Sequence, residues 1–298
     1  MSLAISLVIG VPLFSSSFVK TKGFKNGNTE SNLLVLGEKK NFDFLLLGNS
    51  HARNFSRHQQ HQHLEKSLGG SVLNLGQGRG ICGINDQYFY LKYLLTEGYT
   101  FKKVIHVVSP PYLFDDLRNQ VTTTFFEEPF CLKFLYEYLK HPAPNKTSRL
   151  VHYIKTKWKP SWLKLSPNNS AEKLEALDSI DLEAVQRGFK IAHPNGLDEQ
   201  AFIENKKLLE KSIQLAFSKG ISTYLVQTPT LFEAWPGQDI FNKYCNSLAS
   251  DLNTPYIDLG NAIDEPQFFY DHHHLNTAGI KMLLPIFRNA LDQHSTNR

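Results

Sequence analysis

Short apolar runs alternate along this chain with longer amphipathic stretches, and this pattern predicts its main elements. The runs predict five buried strands, at Phe42–Leu47, Val72–Leu75, Lys103–Val108, Ser222–Gln227 and Tyr256–Leu259. The other stretches predict helices at about Ala52–Leu68, Asn85–Thr96, Asp198–Lys219, Asp239–Leu252 and Ala278–Leu291. Strands that alternate with helices imply right-handed crossovers, and therefore a parallel sheet covered by helices on both faces.

A long segment, from about Tyr112 to Pro194, interrupts the alternation after the third strand. Its aromatic residues, interleaved with lysine and arginine, include Phe125, Phe126, Phe130, Tyr136, Tyr138, Trp158 and Trp162. One interpretation is a lid or substrate platform, because long insertions near active sites are often functional. The other is a helical insert whose aromatic side chains pack on the core. We expect this insertion, at about 112–196, to lie within a domain formed by residues 41–298.

The first forty residues differ from the rest. Leu3 to Phe14 is apolar, and three serines and Lys20 follow. That length fits a signal-peptide core better than a full membrane span, although no basic residue precedes it. We expect residues 1–20 to be a signal peptide or the remnant of a membrane anchor, with an N-terminal core strand as the alternative, and 21–40 to be a linker. The protein is then exported or membrane-anchored, in the periplasm or outside the cell, and residues 3–14 are the segment that would contact a membrane.

Composition and charge exclude several classes of function. The 298 residues are 41% hydrophobic and 12% aromatic, which is ordinary for a globular domain. The net charge of +4 is too mild for a nucleic-acid partner, and the basic residues form no helical stripe. An odd number of cysteines gives no complete disulfide framework, and their spacing fits neither a metal nor a redox site. They are Cys82, Cys131 and Cys245.

Two other patterns suggest ligands but favour simpler interpretations. A group of histidines lies in a glutamine-rich stretch: His58, His61 and His63. No carboxylate joins them to complete a set of zinc ligands, which favours a solvated helix face over a zinc site. Gly76-x-Gly78-x-Gly80 follows a strand, but its third glycine falls too early for a dinucleotide-binding turn. We therefore expect no metal and no cofactor.

Motifs at opposite ends of the chain carry the candidate chemistry. Gly48-Asn49-Ser50 follows the first strand, which places Ser50 at the carboxyl edge of the sheet, where ligands bind in such folds. Near the other end, Asp271 and His274 share one turn. A serine needs an adjacent base to become nucleophilic, and the base needs an orienting group. Ser50, His274 and Asp271 could supply these three roles.

The segment after the second motif supports the catalytic turn. Asn276 or Thr277 is the predicted N-cap of the last helix, which would anchor that turn to the domain. Pro285, inside this helix, is expected to bend it.

On these motifs the chain resembles the SGNH, or GDSL-like, hydrolase superfamily. That resemblance implies a three-layer α/β/α, flavodoxin-like sandwich with a five-stranded parallel sheet, here with a long helical insertion. It also implies an oxyanion hole, for which we expect the Ser50 backbone N–H and the Gly78 N–H, with Gly80 as an alternative.

The chain departs from the family at the third block, where a Gly-x-Asn-Asp motif normally follows the third strand. Gly83-Ile84-Asn85-Asp86 spells this motif, but it stands only a few residues after the glycine-rich loop. We expect Asn85 to be the N-cap of the helix that follows. The alternative is that it still reaches the oxyanion.

The resemblance and the motifs together predict a serine esterase, or an O-acyl (acetyl) transferase of the same mechanism. The expected substrate is a small ester or an acylated carbohydrate, such as a cell-envelope polysaccharide. Two alternatives stay open: a lipase or thioesterase acting on acyl chains, and a noncatalytic binding or assembly protein on an SGNH-like scaffold. The residues that bind substrate and the oligomeric state are not predicted.

Overall fold

The computed structural model describes residues 9–18, 39–76, 83–123, 125, 128–160, 175–194 and 196–295. Gly78, Gly80, Cys82, Phe126 and Trp162 lie outside these ranges, as do residues 3–8 and nearly all of the expected linker at 21–40. Residues 9–18 are helical, and no helix of the described part of the chain is long and apolar enough to cross a membrane.

Five parallel strands form the central sheet, in the spatial order β2-β1-β3-β4-β5. They are β1 (Asn41–Gly48), β2 (Val72–Asn74), β3 (Thr100–Val107), β4 (Ser222–Gln227) and β5 (Tyr256–Asp258). This is the flavodoxin-like strand order. Each predicted strand is present, so the predicted fold class is confirmed. A separate antiparallel hairpin pairs β6 (Phe269–Asp271) with β7 (His274–Leu275).

Helices cover both faces of the sheet. Those before and within the insertion are α1 (Ser50–Asn54), α2 (His61–Leu68), α3 (Ile84–Thr96), α4 (Pro110–Leu113), α5 (Leu117–Gln120), α6 (Leu132–Lys140), α7 (Lys146–Thr156) and α8 (Leu182–Ala192). Those after it are α9 (Glu199–Phe217), α10 (Gln238–Asp251) and α11 (Thr277–Ser295). Side chains of α1, α2 and α11 pack with Phe44 and Leu46 on one face, while α3, α9 and α10 cover the other.

The prediction of a single helix at Ala52–Leu68 is wrong, because this stretch forms two separate helices, α1 and α2. His58 and Gln59 have φ angles of 53° and 65°, which no right-handed helix can contain. Asn74, at the end of β2, donates its side-chain amide to the Ala52 carbonyl oxygen at 2.7 Å. That bond occupies a carbonyl at the end of α1, so it helps to stop the helix beside the sheet edge.

The insertion divides into two parts with different roles. Aromatic residues of its first part pack in the core against α3: Phe125, Phe130, Phe134, Tyr138 and Tyr153. For this part the core-packing interpretation holds, although Tyr136 and Trp158 remain exposed. Helix α8 lies elsewhere and borders the cavity described below.

Candidate active site

The turn that carries Ser50 is fixed at the end of β1. Gly48 has a φ of 146°, and a Cβ there would lie 2.6 Å from the Val107 carbonyl oxygen. Asn49 follows, and its side-chain oxygen accepts a hydrogen bond from the His51 backbone N–H at 3.1 Å. Ser50 therefore begins α1 at the carboxyl edge of the sheet, where ligands bind in open α/β folds.

A fully buried glutamine of α3 holds this turn in place. Gln87 accepts a hydrogen bond from the Gly48 N–H at 2.9 Å. Its side-chain amide donates to the carbonyl oxygens of Gly48 at 3.0 Å and Leu75 at 3.3 Å. Gln87 thus ties together the ends of β1 and β2, which lead into the serine turn and the glycine-rich loop.

Replacing Gln87 with leucine should destabilise the protein, because backbone groups of Gly48 and Leu75 would stay buried without these partners. Each such group costs about 1–3 kcal/mol, so we expect the free energy of unfolding in urea to fall by roughly 2–4 kcal/mol. Gln200→Leu is the matched control, since Gln200 is exposed and, in the described part of the chain, its amide bonds Glu204. Equal stability of the two variants would show that the turn does not depend on Gln87.

A short hairpin, which the sequence pattern does not reveal, carries the other two candidate residues. Asp271 and His274 are paired across the turn between β6 and β7. Asp271 Oδ1 accepts the backbone N–H groups of His273 at 3.0 Å and His274 at 2.8 Å, which fixes the carboxylate in this turn. Asn276, one of the two predicted N-caps, accepts hydrogen bonds from the first turn of α11.

The structure brings Ser50, His274 and Asp271 into one hydrogen-bonded line. Ser50 Oγ lies 2.7 Å from His274 Nε2. His274 Nδ1 lies 2.8 Å from Asp271 Oδ2 and 3.1 Å from Oδ1. When Nδ1 carries the proton and donates it to the carboxylate, the Nε2 lone pair faces the serine hydroxyl. This order of groups is the one that activates a serine nucleophile.

Asp271 is held in its ionised form. Burial opposes ionisation, but the hydrogen bond from His274 and the charges of His274 and His273 outweigh it and keep the pKa of Asp271 well below its usual range. An ionised carboxylate can only accept hydrogen bonds, so it orients Nδ1–H and can stabilise an imidazolium.

Two further rings stack against His274. The ring centroid of His51 is 4.7 Å away, and that of Tyr270 is 5.4 Å away with the two planes only 4° apart. Nδ1 of His51 lies 2.8 Å from Thr228 Oγ1, after β4. Burial, with the charges of His274 and His273, lowers the pKa of His51 well below its ordinary value. A neutral His51 and Tyr270 thus restrict rotation of the imidazole that faces Ser50.

The proposed oxyanion donors are only partly within the described chain. The backbone N–H of Ser50 belongs to the first turn of α1, where such groups have no partner within the helix. Gly78 and Gly80 lie outside the described residues. Their loop starts against α1, since a Cβ on Gly76 would lie 2.3 Å from the Arg53 backbone nitrogen.

Asn85 is neither the N-cap of its helix nor free to serve the oxyanion. Helix α3 begins at Ile84, one residue before Asn85, with Gly83 in the cap position. The Asn85 amide nitrogen donates to the Pro142 carbonyl oxygen at 3.0 Å, and its oxygen lies 2.8 Å from His141 Nε2. The side chain therefore joins α3 to the insertion, which corrects both expectations made for it.

A cavity of about 110 Å³ opens beside Ser50. Its walls come from distant parts of the chain and include Asn49, His51, Ser109, Arg118, Ala192 and Trp235. Arg118 and Trp235 belong to no motif, and no local signal in the sequence marks them. Ala192 belongs to α8, so the second part of the insertion covers the candidate site.

A larger cavity, of about 470 Å³, lies between the N-terminal helical segment and residues 128–134. It contains Ser16, Ser17 and Cys131, but no histidine is among its described lining residues. The Ser16 hydroxyl accepts the Phe130 backbone N–H at 2.7 Å.

In the part of the chain that the structure describes, one cluster could hold a cation: Asp271, His273 and His274, whose ligand atoms lie within 4.8 Å of one another. Both Asp271 oxygens and both His274 ring nitrogens already take part in the hydrogen bonds given above, so a cation would have to replace them. In the histidine-rich stretch, His61 contacts Ser56 Oγ at 2.9 Å instead of another histidine.

Comparison with known proteins gives structural likeness only. No family model and no curated protein matches the chain. Among solved structures, a Bacteroides fragilis protein provisionally described as an acylhydrolase matches with 11% sequence identity and a TM-score of 0.41, over 86% of this chain and 88% of that one. Because sequence identity and structural overlap are both low, this likeness carries no argument about the chemistry of the site.

Proposed function

We propose that this protein is a serine esterase, or an O-acyl transferase of the same mechanism, of the SGNH type. The observation that carries the proposal is the line from Ser50 Oγ to His274 Nε2 and from His274 Nδ1 to Asp271, with distances of 2.7 and 2.8 Å. The resemblance of the two motifs to the SGNH superfamily supports it. The geometry needs no cofactor.

The reaction would proceed through an acyl-enzyme. Ser50 Oγ attacks the ester carbonyl while His274 accepts its proton, and the Ser50 N–H with the glycine-rich loop binds the oxyanion. The C–O bond to the alcohol then breaks, and His274 returns the proton to the leaving oxygen. Water resolves the acyl-enzyme in an esterase, whereas a sugar hydroxyl resolves it in a transferase.

The proposed substrate is an acylated carbohydrate of the cell envelope, and the proposed location is outside the cytoplasm. Exposed Tyr136 and Trp158 on the insertion offer aromatic faces that suit sugar rings. Between residues 131 and 160, Glu137 is the only acidic residue among many basic ones, which favours an anionic surface or polymer. Phe14, exposed on the N-terminal helical segment, would contact a membrane surface.

The geometry gives less support to the two alternatives. A lipase or thioesterase needs a deep aliphatic groove, but the cavity beside Ser50 is small and includes Arg118 and two histidines. A noncatalytic scaffold predicts a serine beyond hydrogen-bond distance of His274, and the Ser50–His274 distance is 2.7 Å.

Labelling with a fluorophosphonate probe tests the proposal. We expect one adduct by intact mass on the wild type, none on Ser50→Ala, and a normal adduct on Ser218→Ala. Ser218 is a suitable control because its hydroxyl only caps the end of α9. The folded wild type should also hydrolyse 4-nitrophenyl acetate, and Ser50→Ala should not.

Two outcomes would reject the proposal. An adduct that persists in Ser50→Ala would assign the reactive serine elsewhere. A folded wild type with neither an adduct nor turnover would favour the noncatalytic alternative.

A further inference from the structure

Arg118 brings a positive charge to the wall of the small cavity that Ser50 opens into. It lies on the short helix α5, directly after the segment that follows β3. Its Nη1 donates to the Pro111 carbonyl oxygen at 2.9 Å, which holds the guanidinium against the sheet edge. Within the described part of the chain this is the one hydrogen bond of the guanidinium, which has five N–H groups, so most of them are left for another acceptor.

Among the described residues, no carboxylate lies within ion-pair distance of Arg118. The nearby acid Asp115 interacts with it electrostatically but uses one oxygen to accept the Leu117 N–H at 2.8 Å. The charge of Arg118 also contributes to lowering the pKa of three histidines: His51, His193 and His273. Burial is the main cause that lowers the pKa of each, so they stay neutral and do not compete for an anion.

The Arg118 guanidinium is only partly exposed, and Asp115 compensates its charge without an ion-pair contact, so part of the cost of removing this charge from water is not offset. Burial accordingly lowers the pKa of Arg118. A bound carboxylate would remove that cost by forming the paired, charge-assisted hydrogen bonds that guanidinium favours. The cavity thus has the chemistry of an anion site within reach of the nucleophile.

The position of the cavity indicates which part of an ester would enter it. The leaving alcohol must lie next to His274 Nε2 to receive a proton, yet His274 is not among the described residues of the cavity wall, whereas Ser50 is. The acyl group is therefore the part that points into the cavity. A volume of about 110 Å³ suits a short acyl group and not a fatty acyl chain.

We propose that this cavity is an acyl pocket in which Arg118 binds the terminal carboxylate of a short dicarboxylic acyl group, of the succinyl class. The inference rests on the proposed function, which it deepens by naming the acyl group. In the hydrolytic reaction, the ester C–O bond breaks, water supplies the new oxygen, the alcohol leaves with the proton of His274, and a free dicarboxylate is released.

Two esters with the same leaving group test this assignment: mono-4-nitrophenyl succinate and 4-nitrophenyl acetate. We expect wild-type kcat/KM to favour the succinate ester, and Arg118→Gln to reduce the succinate-to-acetate ratio by about tenfold to a hundredfold. Arg118→Lys, which retains the charge without the planar fork, should give an intermediate ratio. Arg187→Gln on α8 is the control, because Arg187 is exposed and its ion pairs among the described residues are with Asp181 and Glu183.

An unchanged succinate-to-acetate ratio in Arg118→Gln would overturn the proposal. If both kcat/KM values fell by the same factor, Arg118 would be a general catalytic or structural group. A third ester, 4-carboxyphenyl acetate, carries its carboxylate on the leaving alcohol. If Arg118→Gln affected this ester and not the succinate ester, the anion site would belong to the alcohol side and the acyl assignment would be wrong.

Calorimetric titration separates this inference from the proposed function, because it needs no turnover. Succinate should bind the wild type and Arg187→Gln equally, and Arg118→Gln at least about tenfold more weakly. This result, combined with a Ser50 that no fluorophosphonate labels, would keep the anion site and reject the hydrolase. If Ser50 is labelled but succinate binding does not depend on Arg118, the hydrolase is kept and the anion site is rejected.

Discussion

Asp271→Asn is expected to lower kcat for 4-nitrophenyl acetate on the order of 10⁴-fold while leaving the protein folded. The reason lies in the hairpin turn. Asp271 Oδ1 accepts two backbone N–H groups, so the asparagine oxygen must stay there and its NH₂ group must face His274 Nδ1. His274 Nδ1 would then have to accept a hydrogen bond from the asparagine, which places the ring proton on Nε2. The Ser50 hydroxyl would face an N–H donor at Nε2, where it needs a base.

Steady-state kinetics checks this expectation, and Asp258→Asn is the control. Asp258, at the end of β5, also accepts a backbone N–H from two residues ahead but bonds no histidine, so its amide variant should keep normal kcat. A normal rate in Asp271→Asn would mean that Asp271 only stabilises the turn. In the wild type, the pKa of Asp271 is held well below its usual range, so its carboxylate stays ionised near neutral pH and accepts the Nδ1–H hydrogen bond that the asparagine cannot accept.

The parallel sheet could be predicted because the apolar pattern of its strands fits few other structures. Every position from Phe44 to Leu47 is apolar, and a strand of this kind is stable only with both faces covered. In the structure, Phe44 and Leu46 join one core while Leu45 and Leu47 join the other. The crossover rules then determine the layers from the order of elements alone.

The features that were not predicted depend on contacts between distant parts of the chain. His58 and Gln59 are not residues that usually mark a break, and α1 ends partly because Asn74 bonds the Ala52 carbonyl oxygen. Asn85 lies in a Gly-x-Asn-Asp sequence like the family's third block, yet His141 and Pro142 of the insertion hold its side chain. In both cases the partner lies on another element, which a local pattern cannot show.

The insertion connects the core to the candidate site through one buried ion pair. Arg149 of α7 is completely buried and bonds Asp86 of α3 at 2.5 Å and the Tyr138 hydroxyl at 3.1 Å. It also donates to the carbonyl oxygen of Asn119, the residue next to Arg118 on α5. The pair therefore fixes the short helix that presents Arg118 to the cavity.

Removing one partner of this pair should be strongly destabilising. In Asp86→Asn the Arg149 charge stays buried without its counter-ion. Burial opposes that charge, and the Asp86 carboxylate is what compensates it in the wild type. We expect a loss of about 3–5 kcal/mol in the free energy of unfolding, measured by urea denaturation. Glu137→Gln is the control: Glu137 pairs with Lys140 on the surface of α6, and such pairs contribute about 0–1 kcal/mol.

A double variant distinguishes the buried charge from lost packing. Arg149→Met in the Asp86→Asn background removes the uncompensated charge, so it should recover part of the lost stability instead of adding to the loss. Additive losses would mean that the two residues act independently and that Arg149 matters mainly through its contacts. Because α5 depends on the same network, the variants that lose stability should also lose the Arg118-dependent preference for succinate, even at temperatures where they remain folded.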